Sequence, residues 1–281
     1  MLDKQSERLL RQVSRANLER TTRELAAFPT RHTLGKYLRP AADLLVKRFR
    51  GAGYRTAVVS PYVYADRTLP NVVCTKPGRV KNTILVCAHF DSRQEDLNNP
   101  DAPAPGADDN ASGVAVLLEV ARLLAPVALR DSIQFVAFSG EEQGLWGSAA
   151  YAAAQMKQAK LPVRFVFNLD QVAVPAARDR ALLVDRDEGG ATPTNDAASR
   201  RLVSVVQELA KRYVSVPTRV DPAYDSDYVP FEAQGYPIVG LYEGEGYAHY
   251  HKATDTPDHV DFAYVAEAAR LTLATILHEG R

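Results

Sequence analysis

Apolar residues in this chain recur at two periods. Leu9, Val13, Leu18 and Leu25 are spaced for one amphipathic helix over residues 5–27, ending before Phe28-Pro29. Residues 37–50 repeat the pattern with Leu38, Ala41, Leu44, Leu45 and Phe49, and Gly51-Ala52-Gly53 stops that helix. Short runs at Arg55–Val59, Asn71–Thr75 and Thr83–Ala88 read as strands, and Asp91 to Gly106 reads as a loop rich in Asn, Pro and Asp. Ser112-Gly113 opens a strongly periodic helix carrying Val114, Leu117, Leu118, Val120, Ala121 and Leu124. A strand over Ile133–Phe138, an alanine-rich helix over 146–158 and a strand over Val163–Leu169 follow. Residues 175–194 are polar apart from a short strand at Ala181–Val184; then come a helix over 196–212, a strand at Pro237–Leu241 and a closing helix over 261–278. Alternating strands and helices predict a three-layer α/β fold, one sheet sandwiched by helices. No repeat or linker divides the chain, so residues 1–281 read as one domain with the helix of residues 1–30 packed on it.

Composition narrows the function classes. Lys+Arg and Asp+Glu balance at 34 each, so no basic excess points to nucleic acid and no acidic tract to disorder. No apolar run approaches the ~20 residues that span a bilayer, so no membrane partner is expected. The charged start, Met1 to Arg8, lacks the apolar core of a signal peptide, which reads as cytoplasmic unless an exported chain has been trimmed. Cys74 and Cys87 sit in strand-like runs joined by Pro77-Gly78 and read as buried free thiols; pairing across a hairpin is the alternative, and no CxxC spacing supports a thiolate zinc site.

The candidate chemistry lies at strand ends. Glu141 and Glu142 stand side by side after the run ending at Phe138. Adjacent carboxylates repel, and a metal ion between or beside them is the usual remedy. His89 and Asp170 close two other apolar runs, and Asp108 and His251 supply further ligands of the same kind. A lone His or Asp in such a place is usually structural, and Glu141-Glu142 alone reads equally as a solvated turn. Jointly, four placements on one sheet edge point to a two-metal hydrolytic site, because α/β sheets collect their sites at the carboxyl ends of strands.

Together His89-Phe90-Asp91-Ser92, Gly106-Ala107-Asp108-Asp109-Asn110-Ala111-Ser112-Gly113, Glu141-Glu142-Gln143-Gly144-Leu145-Trp146-Gly147-Ser148, Asn168-Leu169-Asp170 and the stretch Tyr250 to Asp258 resemble, in order, the motif series of the M28 zinc aminopeptidases. The resemblance runs from about Phe28 to the last helix and is weakest over 175–220. It implies the mixed sheet of the zinc exopeptidases and two zinc ions bridged by Asp108 and a water. His89 and Asp170 would complete one metal, Glu142 and His251 the other. Glu141 would be the general base, and Asp91 would orient the ring of His89. The resemblance also implies a strained or cis peptide between Asp108 and Asp109, and it places Asp109, Ser226 and Asp227 as supporting residues; for Ser226-Asp227 a helix N-cap before Val229 stays an equal alternative.

A substrate peptide with a free N-terminus follows from that resemblance. Tyr224, Tyr228, Tyr247 and Tyr250, with Tyr236 and Tyr242, suggest an apolar or aromatic pocket suited to Leu-like or aromatic first residues, and Tyr247 or Tyr250 has help to the oxyanion as a second reading. His249 is a rival to His251, since residues two apart in an extended chain point the same way. Arg31 and His32 read as anchors of the N-terminal segment, and His259 and His278 as surface or helix-end residues. Three rival functions remain open: a single-zinc glutaminyl-peptide cyclotransferase, a carboxypeptidase-type relative that would need a cationic pocket, and a binding domain without activity, which has no need of Glu141.

Overall fold

A computed structural model describes residues 1–154, 162–176 and 178–281. Its strands are β1 (Val58–Tyr64), β2 (Arg67–Lys76), β3 (Thr83–His89), β4 (Ser132–Phe138), β5 (Val163–Leu169), β6 (Leu182–Arg186), β7 (Thr218–Pro222) and β8 (Ile238–Tyr242). They form one eight-stranded mixed sheet in the order β1-β2-β4-β3-β5-β8-β6-β7. The centre, β4-β3-β5-β8, is parallel; β1, β2 and β6 enter antiparallel to their inner neighbours. Every residue of β3 is buried, as expected for a parallel strand covered on both faces, and this is why it reads as a continuous apolar run.

Strand alternation sorts the core into two layers. Ile84, Val86 and Ala88 face one layer with Ile133, Phe135 and Ala137; Leu85 and Cys87 face the other with Val136 and Phe138. The first layer is covered by α1 (Lys4–Leu10), α2 (Arg15–Ala26), α3 (Leu38–Gly51), α4 (Gly113–Leu124), α6 (Asp196–Tyr213) and α8 (Phe262–Glu279). The second is covered by α5 (Trp146–Ala154) and the single turn α7 (Val229–Glu232). The sandwich predicted from the alternating elements is thus present.

Two expectations change. Residues 5–27 make two helices, because Ser14 takes an extended conformation and caps α2, its Oγ accepting from Asn17 N at 3.3 Å. The Glu119 carboxylate on α4 holds this junction by accepting from Ser14 N at 2.8 Å. The first strand begins later than expected and runs on to Tyr64 as an exposed edge. The second half of the alanine-rich helix falls partly on residues 155–161, outside the described residues. Cys74 and Cys87 do not face each other in a hairpin, because β4 lies between β2 and β3. Two strand spacings, about 10 Å, exceed the reach of a disulfide, and the two thiols point into opposite layers. Both are free and buried.

Candidate metal centre

The parallel register His89↔Phe138 and Cys87↔Asn168 aligns the ends of β3, β4 and β5. His89 is the last residue of β3, Glu141 and Glu142 follow the end of β4, and Asp170 follows β5 directly. Gly140 makes the turn before the glutamates at φ +78°, where an added Cβ would lie 2.7 Å from Tyr62 Oη. His251 arrives from the segment after β8 at φ +54°, a conformation uncommon outside glycine.

These segments close on one point. His89 Nε2 lies 3.2 Å from Asp109 Oδ1, 3.2 Å from Asp170 Oδ1 and 3.8 Å from Glu141 Oε2. His251 Nε2 lies 3.1 Å from Asp109 Oδ2 and 3.0 Å from Glu142 Oε2. The two oxygens of Asp109 therefore face different histidines. Ligand atoms of His89, Glu141 and Asp170, and of His89, Asp109 and Glu142, lie within 4.8 Å of one another.

Asp109, expected as a supporting residue, thus stands where Asp108 was expected. Asp108 points the other way: its Oδ1 accepts from Ala173 N at 3.0 Å, beside Glu243, which accepts from the same N–H at 2.8 Å. The reason is local backbone geometry. Asp109 has extended dihedrals (φ −103°, ψ 95°), so consecutive side chains diverge, and Asp255 fixes both N–H groups, accepting from Asp108 N at 3.0 Å and Asp109 N at 3.1 Å. The cis peptide also lies one residue later than expected, between Asp109 and Asn110.

The supporting residues are close at hand. Asp91 Oδ1 lies 3.6 Å from His89 Nδ1, beyond hydrogen-bond range, while its Oδ2 accepts from Thr33 Oγ1 at 2.7 Å and Glu142 N at 3.3 Å. Ser226 Oγ donates to Asp170 Oδ2 at 2.7 Å and accepts from Asn168 Nδ2 at 2.8 Å, so it braces Asp170 and caps no helix. Asp227 is fully buried nearby. His249 lies outside the cluster: its Nδ1 pairs with Thr254 Oγ1 at 2.8 Å and its ring stacks on His259. Arg93 was not foreseen; its Nε donates to Glu142 Oε2 at 2.9 Å.

Arg31 is buried completely and binds four carbonyls: Phe90 O at 2.6 Å, Leu25 O at 3.1 Å, Gly106 O at 2.8 Å, and Pro105 O. Burial lowers its pKa to about 10, which leaves it cationic at neutral pH beneath Asp255, Asp91, Asp109 and Glu142. It ties the residue after His89 to the turn before Asp109.

Electrostatics show a cluster short of positive charge. Burial pushes Glu141 well above the usual carboxylate range and Glu142 up to about 7. Burial opposes charge on His89 too, but Glu141, Asp170 and Asp109 outweigh it and raise its pKa well above the ordinary value. His251 rises to about 9 despite burial, through Asp109 and Glu142. Buried His89 Nδ1, Asp91 Oδ1 and Glu142 Oε1 have no hydrogen-bond partner among the described residues. Clustered imidazole and carboxylate donors with unmet polar atoms fit zinc.

A cavity of about 380 Å³ opens beside the cluster, lined at its base by His89, Asp109, Glu141 and Asp170. Tyr224, Tyr242, Tyr247 and Tyr250 form walls, with Asp225 and Glu245 also on the lining. Tyr228 is not on the lining. It is fully buried behind Tyr224, where its hydroxyl accepts from Tyr224 N at 2.9 Å and sits 3.3 Å from Asp185 Oδ2. Tyr236 packs edge-on against Phe231, away from the cavity.

Comparison with known proteins places the chain in a family. The family model for peptidase family M28 matches residues 71–276. A probable zinc metalloprotease of Leptosphaeria maculans is 30% identical over 95% of this chain and 74% of its own length. A probable leucine aminopeptidase 1 of Trichophyton verrucosum is 29% identical over 94% of this chain and 74% of its own. Among solved structures, LapB from Legionella pneumophila superposes with a TM-score of 0.84 at 25% identity, covering 99% of this chain and 75% of that one. Fimbriiglobus ruber glutaminyl cyclase shares the fold at a TM-score of 0.77 and 20% identity, covering 95% of each chain. The chain belongs to peptidase family M28, and its relatives there are named as zinc metalloproteases and aminopeptidases.

Proposed function

We propose that the chain is an aminopeptidase with two zinc ions, acting as one metallopeptidase domain. His89 and Asp170 would hold one ion and His251 and Glu142 the other, with Asp109 placed to serve both. The observation that carries this reading is the split of the Asp109 carboxylate between the two histidines, at 3.2 and 3.1 Å. When bound, the ions supply Lewis-acid activation of a water and of the scissile carbonyl. Glu141 would act as general base, taking a proton from the attacking water and giving it to the departing amine as the C–N bond breaks, so the carboxylate ends each cycle as it began. Asp109, Glu141 and Asp170 present carboxyl oxygens to the cavity, where an α-ammonium group finds acceptors; an internal peptide bond offers no such group. None of the described residues lining the cavity is Lys or Arg, which disfavours capture of a substrate carboxylate there.

A panel of aminoacyl-p-nitroanilides tests the reading, with chelated protein and Glu141→Ala as controls. Wild type should cleave, chelation should abolish cleavage, and Glu141→Ala should lose ~10²–10⁴ in kcat while keeping its zinc. No cleavage by wild type, a full rate in Glu141→Ala, or cyclisation of N-terminal Gln in place of hydrolysis would refute it.

A further inference from the structure

The cavity beside the metal centre carries a charge pattern that an apolar side chain would not need. We propose that it is a first-residue pocket for Lys or Arg, with Tyr224 and Tyr242 as its aromatic wall and Asp225 and Glu245 as its anionic end. The inference rests on the aminopeptidase reading, because only a substrate held at the metal centre sends its first side chain into this cavity.

Four observations support it. The cavity shares His89, Asp109, Glu141 and Asp170 with the centre, so a side chain one carbon from the scissile carbonyl enters it. Its volume, about 380 Å³, lies in the ordinary range for ligand pockets. The Tyr224 and Tyr242 rings stand 4.5 Å apart at 36°, presenting aromatic surface along which a long aliphatic stem packs and a cation is attracted. Asp225 and Glu245 are exposed, and neither has an ion-pair or hydrogen-bond partner among the described residues, so their charge is free for a ligand. No described Lys or Arg on the lining neutralises them. The tyrosines by themselves suggest apolar or aromatic specificity; the carboxylates on the same lining favour a cationic side chain instead.

Lysine and norleucine differ by little more than the terminal ammonium, which makes them the natural pair to compare. The kcat/KM for lysyl-p-nitroanilide should exceed that for norleucyl-p-nitroanilide about tenfold or more, the worth of one partly screened ion pair plus a cation–π contact. The ratio should shrink from low to high salt, as screening shortens from ~10 to ~3 Å, and should fall toward one in the Asp225→Asn/Glu245→Gln double variant. Calorimetric titration with free lysine and norleucine gives a second readout that needs no turnover, and the salt series on wild type stands even if the double variant fails to fold. Equal or better cleavage of the norleucyl substrate would overturn the pocket and leave the aminopeptidase standing. Tighter, salt-sensitive lysine binding without cleavage of either substrate would overturn the aminopeptidase reading and, with it, the assignment of this cavity to a substrate's first residue.

Discussion

Two adjacent aspartates do different work in this chain. Asp109 stands between His89 and His251, while Asp108 turns inward to Ala173 N and Glu243. Asp109→Ala should therefore remove the shared ligand and reduce kcat/KM by more than ~10³. Asp108→Ala should act only through the support it gives the loop, costing roughly 10–100-fold. Steady-state kinetics on one nitroanilide decides between them, and a larger loss at Asp108 would reverse the assignment. This one-residue offset marks the limit of sequence reading. His89, Glu142, Asp170 and His251 were legible as candidates only jointly, through their shared place at strand ends and their order in the motif series, since each alone reads equally as structural. Within Ala107-Asp108-Asp109-Asn110 both aspartates have the right chemistry, and only the backbone path decides which one faces the histidines. Asp225 and Glu245 were equally hard to assign, since an exposed carboxylate gives no signal until a cavity forms around it.

Elements place these residues, and Arg31 joins the elements. Its guanidinium links the end of α2, the residue after β3 and the turn before Asp109 through four carbonyls. Arg31→Met should strand those acceptors and destabilise the protein by at least about 3 kcal/mol. Arg31→Lys should rescue little, because an ammonium cannot span the planar fork. Thermal unfolding of the zinc-loaded protein checks this, and an unchanged Tm for Arg31→Met would contradict it. Elements with a strong local signal were foreseen: the buried strands β3, β4 and β5 and the periodic helices α3, α4, α6 and α8 match the apolar pattern closely. β7, with its half-exposed Thr-Arg-Val-Asp-Pro, and the single turn α7 carry too few apolar positions to register. Strand order was not legible either. β4 slips between β2 and β3 through contacts distant in sequence, which local patterning cannot encode.

For the whole molecule, the buried acids set the response to pH once zinc is withdrawn. Burial raises Glu142 and Asp227 to about 7 and Glu243 to about 8, and His251 is held near 9 by Asp109 and Glu142 against its own burial. Each folded-state value lies above the unfolded one. The folded state then binds more protons, and the stability due to these groups is lost as pH rises through their folded values. The chelated protein should therefore melt at lower temperature near pH 9 than near pH 5.5. The rise in Tm on adding zinc should be larger at the higher pH, because the metal competes with those same protons. A chelated protein whose Tm climbs over that range would contradict this distribution of charge.

The number of zinc ions per chain, by mass spectrometry of dialysed protein, puts the arrangement of His89, Asp109, Glu142, Asp170 and His251 to its sharpest test. Two ions in wild type and fewer than one in Asp109→Ala are expected. A single tightly held ion in wild type, or two retained by Asp109→Ala, would show that these five side chains do not share a pair of metals.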